Sequence, residues 1–255
     1  MDSSRVRRYL DHLGVERGSP TLALLSELQE RHLHVVPFEN LSVHLGEEIV
    51  LEPVALVDKI IERRRGGFCY ELNGAFAALL TALGYSVELL AARVKDGPLF
   101  DHLALRVDVD GEPWLVDVGF GRFTHRPIRL DVRTPQADPG GTFTVSERDH
   151  GDLAIDRDGE PEYTVETRPR VLDDFGPTCW YQRTSPRSHF TRSLVCTRLT
   201  GTGRITLSGR ELIRTGAGGR DQRVLETDAE VLAAYHEHFG IVLDSVPTVR
   251  APLSP

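Results

Sequence analysis

Arg65-Gly66-Gly67-Phe68-Cys69-Tyr70-Glu71-Leu72-Asn73 joins the end of one predicted helix to the start of the next. After the cysteine, apolar or small residues recur at Leu72, Ala75, Phe76, Leu79 and Leu80, the spacing of a buried helix face. The two glycines before it allow backbone or substrate to approach closely. The pattern therefore puts a thiol in a first helical turn, where free N–H groups and the helix dipole favour the thiolate a nucleophile needs.

Working outward, the first third of the chain reads as helical. Ser19-Pro20 predicts an N-cap and a proline at the first helical position, leading into Leu22, Leu25, Leu28 and Leu33. Pro53 opens a second such segment, which ends in the basic cluster Arg63-Arg64-Arg65, suited to a helix C-terminus. The cysteine helix runs to about Leu83, with Gly84 as its terminator. From Val87 the period becomes that of strands, at 87–94, 102–109 and 113–118, with Asp110-Gly111 as a hairpin turn. A second hairpin turn, Asp158-Gly159, separates 151–157 from 161–167, and further strands are expected at 193–199 and 204–208. The stretch 134–141 reads as a loop, and Thr227-x-x-Glu230 as the capping box of a last helix. This is an α+β arrangement: helical N-terminal part, central antiparallel β part, mixed C-terminal part.

The formal net charge of −8 argues against a nucleic acid or an anionic membrane as partner. Arginines nevertheless recur from Arg183 to Arg223, a local setting that suits an anion, although a solvated surface is the commoner explanation. Gly216 to Gly219 lacks the lysine and the strand-to-helix context of a phosphate loop. Three cysteines without a CxxC pair, and a charged Met1–Leu10 without an apolar leader, point to a reduced, cytoplasmic protein. No run approaches the ~20 apolar residues of a membrane span. The pairs His32/His34 and His236/His238 diverge on a helix, and no acidic or cysteine cluster completes a metal set, so no metal is expected.

A cysteine nucleophile wants an imidazole to take its proton and a carboxylate to fix the tautomer. His102 opens a strand beside the loop Lys95-Asp96-Gly97-Pro98, and Asp117 lies in the apolar run Trp114-Leu115-Val116-Asp117-Val118, where it must find a partner. A two-residue turn at Asp110-Gly111 sets Val109 across from Glu112 and, by the same register, Asp117 across from Ala104. Asp117 then shares a sheet face with His102 as its diagonal neighbour, while Asp101 falls on the opposite face. Cys179 and Cys196 lack such a setting and read as packing residues. Taken singly, each group also has an ordinary structural explanation. The residues alone leave open both a Cys-His-Asp enzyme and a protein whose cysteine only packs.

Residues 65–73 resemble the active-site signature of the arylamine N-acetyltransferases. Pro37-Phe38-Glu39-Asn40-Leu41, Leu115-Val116-Asp117-Val118-Gly119-Phe120-Gly121 and Ser185-Pro186-Arg187-Ser188-His189-Phe190 are similar to further motifs of that family, in the same order. The resemblance implies a helical bundle over 1–83 carrying the nucleophile, a β-barrel over 84–185 carrying His102 and Asp117, and an α/β lid over 186–255. Its Cys-His-Asp core is papain-like, an arrangement shared with transglutaminases. It also implies ping-pong transfer of acetyl from acetyl-CoA, as co-substrate, through Cys69 to an aromatic amine or hydrazine, the chemistry of xenobiotic metabolism. Phe38, Phe68, Phe120, Gly121 and Phe190 are then the substrate-binding positions, and Arg65 supports the site structurally. One departure is Asp101, where the family often has threonine or another small polar residue. An amide synthase that releases a polyketide chain by intramolecular attack on a Cys69 ester is the alternative within the same fold. Cysteine peptidase or transglutaminase chemistry uses the same triad.

Overall fold

The computed structural model describes residues 1–95 and 97–249. Asp96 of the strand-mouth loop and residues 250–255 of the expected lid lie outside the described residues. Five helices and one short strand lead the chain: α1 (Ser3–Leu13), α2 (Leu22–Val35), β1 (Phe38–Glu39), α3 (Leu41–Leu45), α4 (Pro53–Ile61) and α5 (Cys69–Ala82). The N-cap of α2 is Thr21, whose hydroxyl accepts from the Leu24 N–H, so the helix begins later than Ser19-Pro20 predicts. Helix α4 starts with Pro53 at its first position, as expected, but ends at Ile61. The three arginines therefore lie past its end. Arg64 takes a left-handed φ of 52°, and Arg65 turns inward.

Eight strands follow: β2 (Ser86–Val94), β3 (His102–Val109), β4 (Glu112–Val116), β5 (Ile128–Arg129), β6 (Gln136–Asp138), β7 (Gly141–Glu147), β8 (Leu153–Arg157) and β9 (Glu160–Arg170). They form one antiparallel sheet in the order β5-β4-β3-β2-β9-β8-β7-β6 that curls into a nearly closed barrel. Leu90, Ala104, Leu115, Phe143, Ile155 and Val165 meet in its core. The loop expected at 134–141 holds the short strand β6. Both Asx-Gly turns have left-handed backbones, with φ of 53° and 80° at Asp110 and Gly111 and of 53° and 85° at Asp158 and Gly159. That conformation matches the twist of the strands it joins.

Helices α6 (Gly176–Thr184) and α7 (His189–Arg192) precede the strands β10 (Cys196–Thr200), β11 (Gly203–Ser208), β12 (Glu211–Gly216) and β13 (Gly219–Val224) and the last helix, α8 (Asp228–Phe239). Strand β1 joins these four in a second sheet, with Phe38 opposite Thr197 and Glu39 opposite Cys196. The β12–β13 hairpin has no counterpart in the sequence expectations, because the charged run 219–224 is exposed throughout and lacks an apolar face. Thr227 caps α8 through a reciprocal pair with Glu230, as its sequence predicts. No described helix is long and apolar enough to cross a membrane.

Candidate active site

Cys69 is the first residue of α5, and the turn before it is held by close backbone approach. A Cβ on Gly66 would fall 1.7 Å from the Pro37 carbonyl oxygen, and Gly67 forms a parallel bridge to Phe38. Beneath this turn lies a buried ionic cluster. Arg65 Nε donates to Glu39 Oε1 at 2.9 Å, Lys59 pairs with Glu71, and Lys59 also donates to Ser42 Oγ at 2.9 Å. Glu39 Oε2 accepts the Leu41 N–H at 2.6 Å. Glu71 accepts from the Phe68 N–H, closing the helix start. Burial would raise the Glu39 carboxyl, but the charges of Arg65 and Lys59 hold it below its ordinary value.

His102 opens β3 and Asp117 follows directly on β4. The register pairs Val109 with Glu112 and Leu105 with Val116, as the hairpin expectation requires. His102 Nε2 lies 2.7 Å from Asp117 Oδ2, and the two residues are only 2% and 1% exposed. Four donors converge on the carboxylate. His102 and the Tyr163 hydroxyl (3.0 Å) reach Oδ2, while Asn73 Nδ2 and the Gly119 N–H, each at 2.9 Å, reach Oδ1. Burial opposes ionisation of Asp117, but the His102 charge and these hydrogen bonds bring its pKa below the usual carboxylate value. An ionised carboxylate only accepts, so His102 carries its hydrogen on Nε2, which leaves Nδ1 to take a proton.

Asn73 and Tyr163 were not singled out by sequence reasoning. For Asn73 a signal existed: four residues after Cys69, it lies on the same helix face. Its side chain ties α5 to the barrel by donating to the Leu103 carbonyl at 2.6 Å and accepting the Val118 N–H at 2.9 Å. Tyr163 depends on the pairing of β9 with β2, whose register shifts between Leu90 and Ala92, and no local pattern announces that.

Cys69, His102, Asp101, Gly119, Phe38, Phe120 and Phe190 line one cleft of about 370 Å³. Phe68 does not line it. That ring is fully buried behind Phe190, with centroids 5.1 Å apart. Gly121, with φ of 84°, packs behind the Phe38 ring. Asp101 precedes the strand, so side-chain alternation does not govern it, and it faces the cleft rather than the opposite side. Its Oδ1 accepts from Gln182 Nε2 at 2.5 Å, and Gln182 Oε1 accepts from Ser188 Oγ at 2.6 Å. Burial raises the Asp101 carboxyl, with His102 and Gln182 working the other way. Burial likewise pushes the Cys69 thiol well above its ordinary value; a backbone hydrogen bond from Leu103 opposes this, and the charges of Asp117 and Asp101 add to it. Burial thus works against the thiolate that the helix start favours. Cys179 and Cys196 are free and buried. Among the described residues no cluster of three His, Cys, Asp or Glu side chains is placed to hold a metal.

The family model described as N-acetyltransferase matches residues 21–248. The chain is 37% identical over 250 residues to an arylamine N-acetyltransferase of Mycobacterium tuberculosis, covering 91% of this chain and 88% of that protein. It is 32% identical over 245 residues to the arylamine N-acetyltransferase / N-hydroxyarylamine O-acetyltransferase of Salmonella typhimurium, covering 90% and 85%. Among solved structures, the Mycobacterium marinum arylamine N-acetyltransferase in complex with CoA superposes with a TM-score of 0.85 at 33% identity, covering 92% of each chain. The chain, which shares this fold along nearly its whole length, belongs to the arylamine N-acetyltransferase family.

Proposed function

We propose that this protein transfers an acetyl group from acetyl-CoA to the nitrogen of an arylamine or arylhydrazine by a ping-pong mechanism, with Cys69 as nucleophile, His102 as base and Asp117 as the orienting carboxylate. The observation that carries the reading is the saturated carboxylate of Asp117. Its donors fix the His102 tautomer and leave Nδ1 free to take a proton in the cleft that Cys69 lines.

Burial disfavours an isolated Cys69 thiolate, so the thiolate is formed as its proton passes to His102, and the imidazolium then balances its charge. The sulfur attacks the thioester carbonyl. The tetrahedral intermediate collapses by expelling the CoA thiolate, which takes the proton back from His102 and leaves acetyl on Cys69. Exchange of one thioester for another is near neutral in energy, so the same sulfur can accept and release the group. In the second half reaction the weakly basic arylamine attacks, His102 removes its proton, and Cys69 departs. Backbone N–H groups at the start of α5, that of Cys69 among them, are candidates to stabilise the oxyanion. Phe38, Phe120 and Phe190 offer the aromatic walls that an arylamine ring would contact. In this reading the helical part over 1–83, the barrel over 84–185 and the lid over 186–255 supply the nucleophile, the base with its orienting carboxylate, and the cover, respectively.

Exchange of labelled CoA into acetyl-CoA without any amine tests the ping-pong reading. The reading expects exchange with wild-type protein and none with Cys69→Ser. Exchange that required the amine would overturn it.

A further inference from the structure

The backbone that leads into His102 is strained at one residue. Phe100 takes a left-handed φ of 68°, an unfavourable conformation for so bulky a side chain. Its neighbours hold it there. Tyr70, buried and next after Cys69 in the chain, donates its hydroxyl to the Phe100 carbonyl at 2.7 Å and reaches the Asp101 carbonyl at 3.2 Å. The Phe100 ring stands edge-on to Phe175, with centroids 5.3 Å apart, and the Arg170 guanidinium lies 5.0 Å from the Phe100 centroid. Such strain persists only where the surroundings enforce it, and it gathers at functional sites.

What this turn delivers, one residue later, is the Asp101 carboxylate in the catalytic cleft. Gln182, a buried side chain of α6, donates to it and is held in turn by Ser188. Ser188 Oγ also accepts the Phe190 N–H at 3.1 Å, so one hydrogen-bonded chain sets both the carboxylate and an aromatic wall of the cleft. Among the described residues no lysine or arginine pairs with Asp101. Arg187, His189 and Arg192 also line the cleft, but they are exposed, where water and salt weaken a charge. Asp101 is half-buried and immediately precedes the base.

In a ping-pong cycle CoA has left before the amine enters, so the acceptor meets this carboxylate with no donor in the way. Consecutive Cα atoms lie about 3.8 Å apart, so a substituent on an acceptor ring held at His102 can reach the charge. A cationic substituent then regains from the carboxylate what it loses in hydration, whereas an anionic one meets a like charge. We propose that Asp101 is a specificity-determining residue of the second half reaction, selecting arylamines or arylhydrazines that bear a second, cationic group over those that bear an anionic one. The inference rests on the acetyl-transfer reading above, and its test separates the two.

Wild-type protein and Asp101→Asn are acetylated with acetyl-CoA, freed of CoA, and mixed at constant ionic strength with para-aminobenzylamine, para-toluidine or para-aminophenylacetate. These acceptors share a ring and a reacting aniline nitrogen and differ in the charge of the para substituent. Quenched-flow mass spectrometry gives the rate of acetyl loss from Cys69 against acceptor concentration. Wild type is expected to favour the cationic over the anionic acceptor by at least about tenfold in second-order rate constant. Asp101→Asn, which keeps an oxygen for Gln182, should lose most of that ratio, while its rate with neutral para-toluidine changes by less than about threefold. Uptake of acetyl by the variant shows that it is folded. Absence of the preference in wild type, an undiminished ratio in Asp101→Asn, or equal loss on all three acceptors would overturn the inference. Failure of wild-type Cys69 to take up acetyl at all would instead overturn the acetyl-transfer reading, and the inference with it.

Discussion

At the scale of single residues, the account rests on how each polar group in the catalytic cleft is satisfied. Asp117 is acceptor to four donors, and its contact with His102 sets which imidazole nitrogen faces the chemistry. Asp117→Asn presents an amide that can donate to Nε2 and favour the other tautomer. We expect kcat to fall by about 10²–10⁴ with little change in folding midpoint; steady-state kinetics beside urea denaturation would check both, and near-wild-type turnover would remove Asp117 from the mechanism. Asp101 sets a carboxylate in the cleft that an anionic donor must enter. Asp101→Asn keeps an oxygen for Gln182 while removing the charge. It should lower the KM for acetyl-CoA by roughly two- to tenfold, and a KM that stays the same or rises would show that the charge does not oppose the donor. The pairing of His102 with Asp117 was legible in the sequence because a two-residue turn fixes parity. The side on which Asp101 falls was not, because alternation holds only within a strand and β3 begins one residue later.

At the scale of elements, Cys69 is placed by close packing at the glycines around it and by the charges beneath. A Cβ on Gly119 would lie 2.8 Å from Cys69 Cα, whereas one on Gly111 would meet nothing within 4 Å and only the strain of a φ of 80°. Gly119→Ala should therefore destabilise by about 1–3 kcal/mol and displace the start of α5, while Gly111→Ala should cost about 1 kcal/mol with activity retained. Urea midpoints and initial rates separate the two, and equal loss of activity in both would contradict this placement. The Glu39–Arg65 pair is buried on both sides. Arg65→Met leaves a carboxylate stranded and should cost about 3–5 kcal/mol; adding Glu39→Leu should recover much of that loss. The inward turn of Arg65 is what sequence reasoning could not supply. Three consecutive arginines look like a helix terminus, and only the meeting with β1 shows that the third is an interior group.

At the scale of the whole molecule, sequence legibility follows the distance over which a contact is made. The hairpins, the helix that begins at Cys69 and the last capping box are local and were readable from their residues. Strand β1 was not. Its two residues pair with β10 some 160 positions later, so Phe38 reaches the cleft through a contact that no local pattern encodes. The buried charges of both sheets and the bundle also give stability a definite pH dependence. Asp117 and Glu39 have folded-state values below the ordinary 3.8 and 4.5, so the stability they contribute is complete above those values and is lost as pH falls through the lower, folded ones. Glu71 runs the other way. Burial raises it, so its ionisation is a liability at neutral pH that eases as pH drops toward 4.5. Burial holds His32 down to about 3 and His12 to about 4, so urea midpoints should begin to fall below about pH 6.5, where the unfolded imidazoles take up protons, and fall more steeply below about 4.5, a lower limb that Glu39→Gln should flatten. Midpoints that rise as pH falls from about 6.5 to about 4 would contradict the assigned signs. The proposed chemistry requires that Cys69 itself carry the acetyl group. Intact mass spectrometry with peptide mapping, after mixing with acetyl-CoA alone and then with an arylamine, tests it directly. The account predicts one acetyl group on Cys69, lost on addition of the amine, and none on Cys69→Ser. Wild-type protein that stays unmodified while Cys69 remains open to alkylation would contradict it.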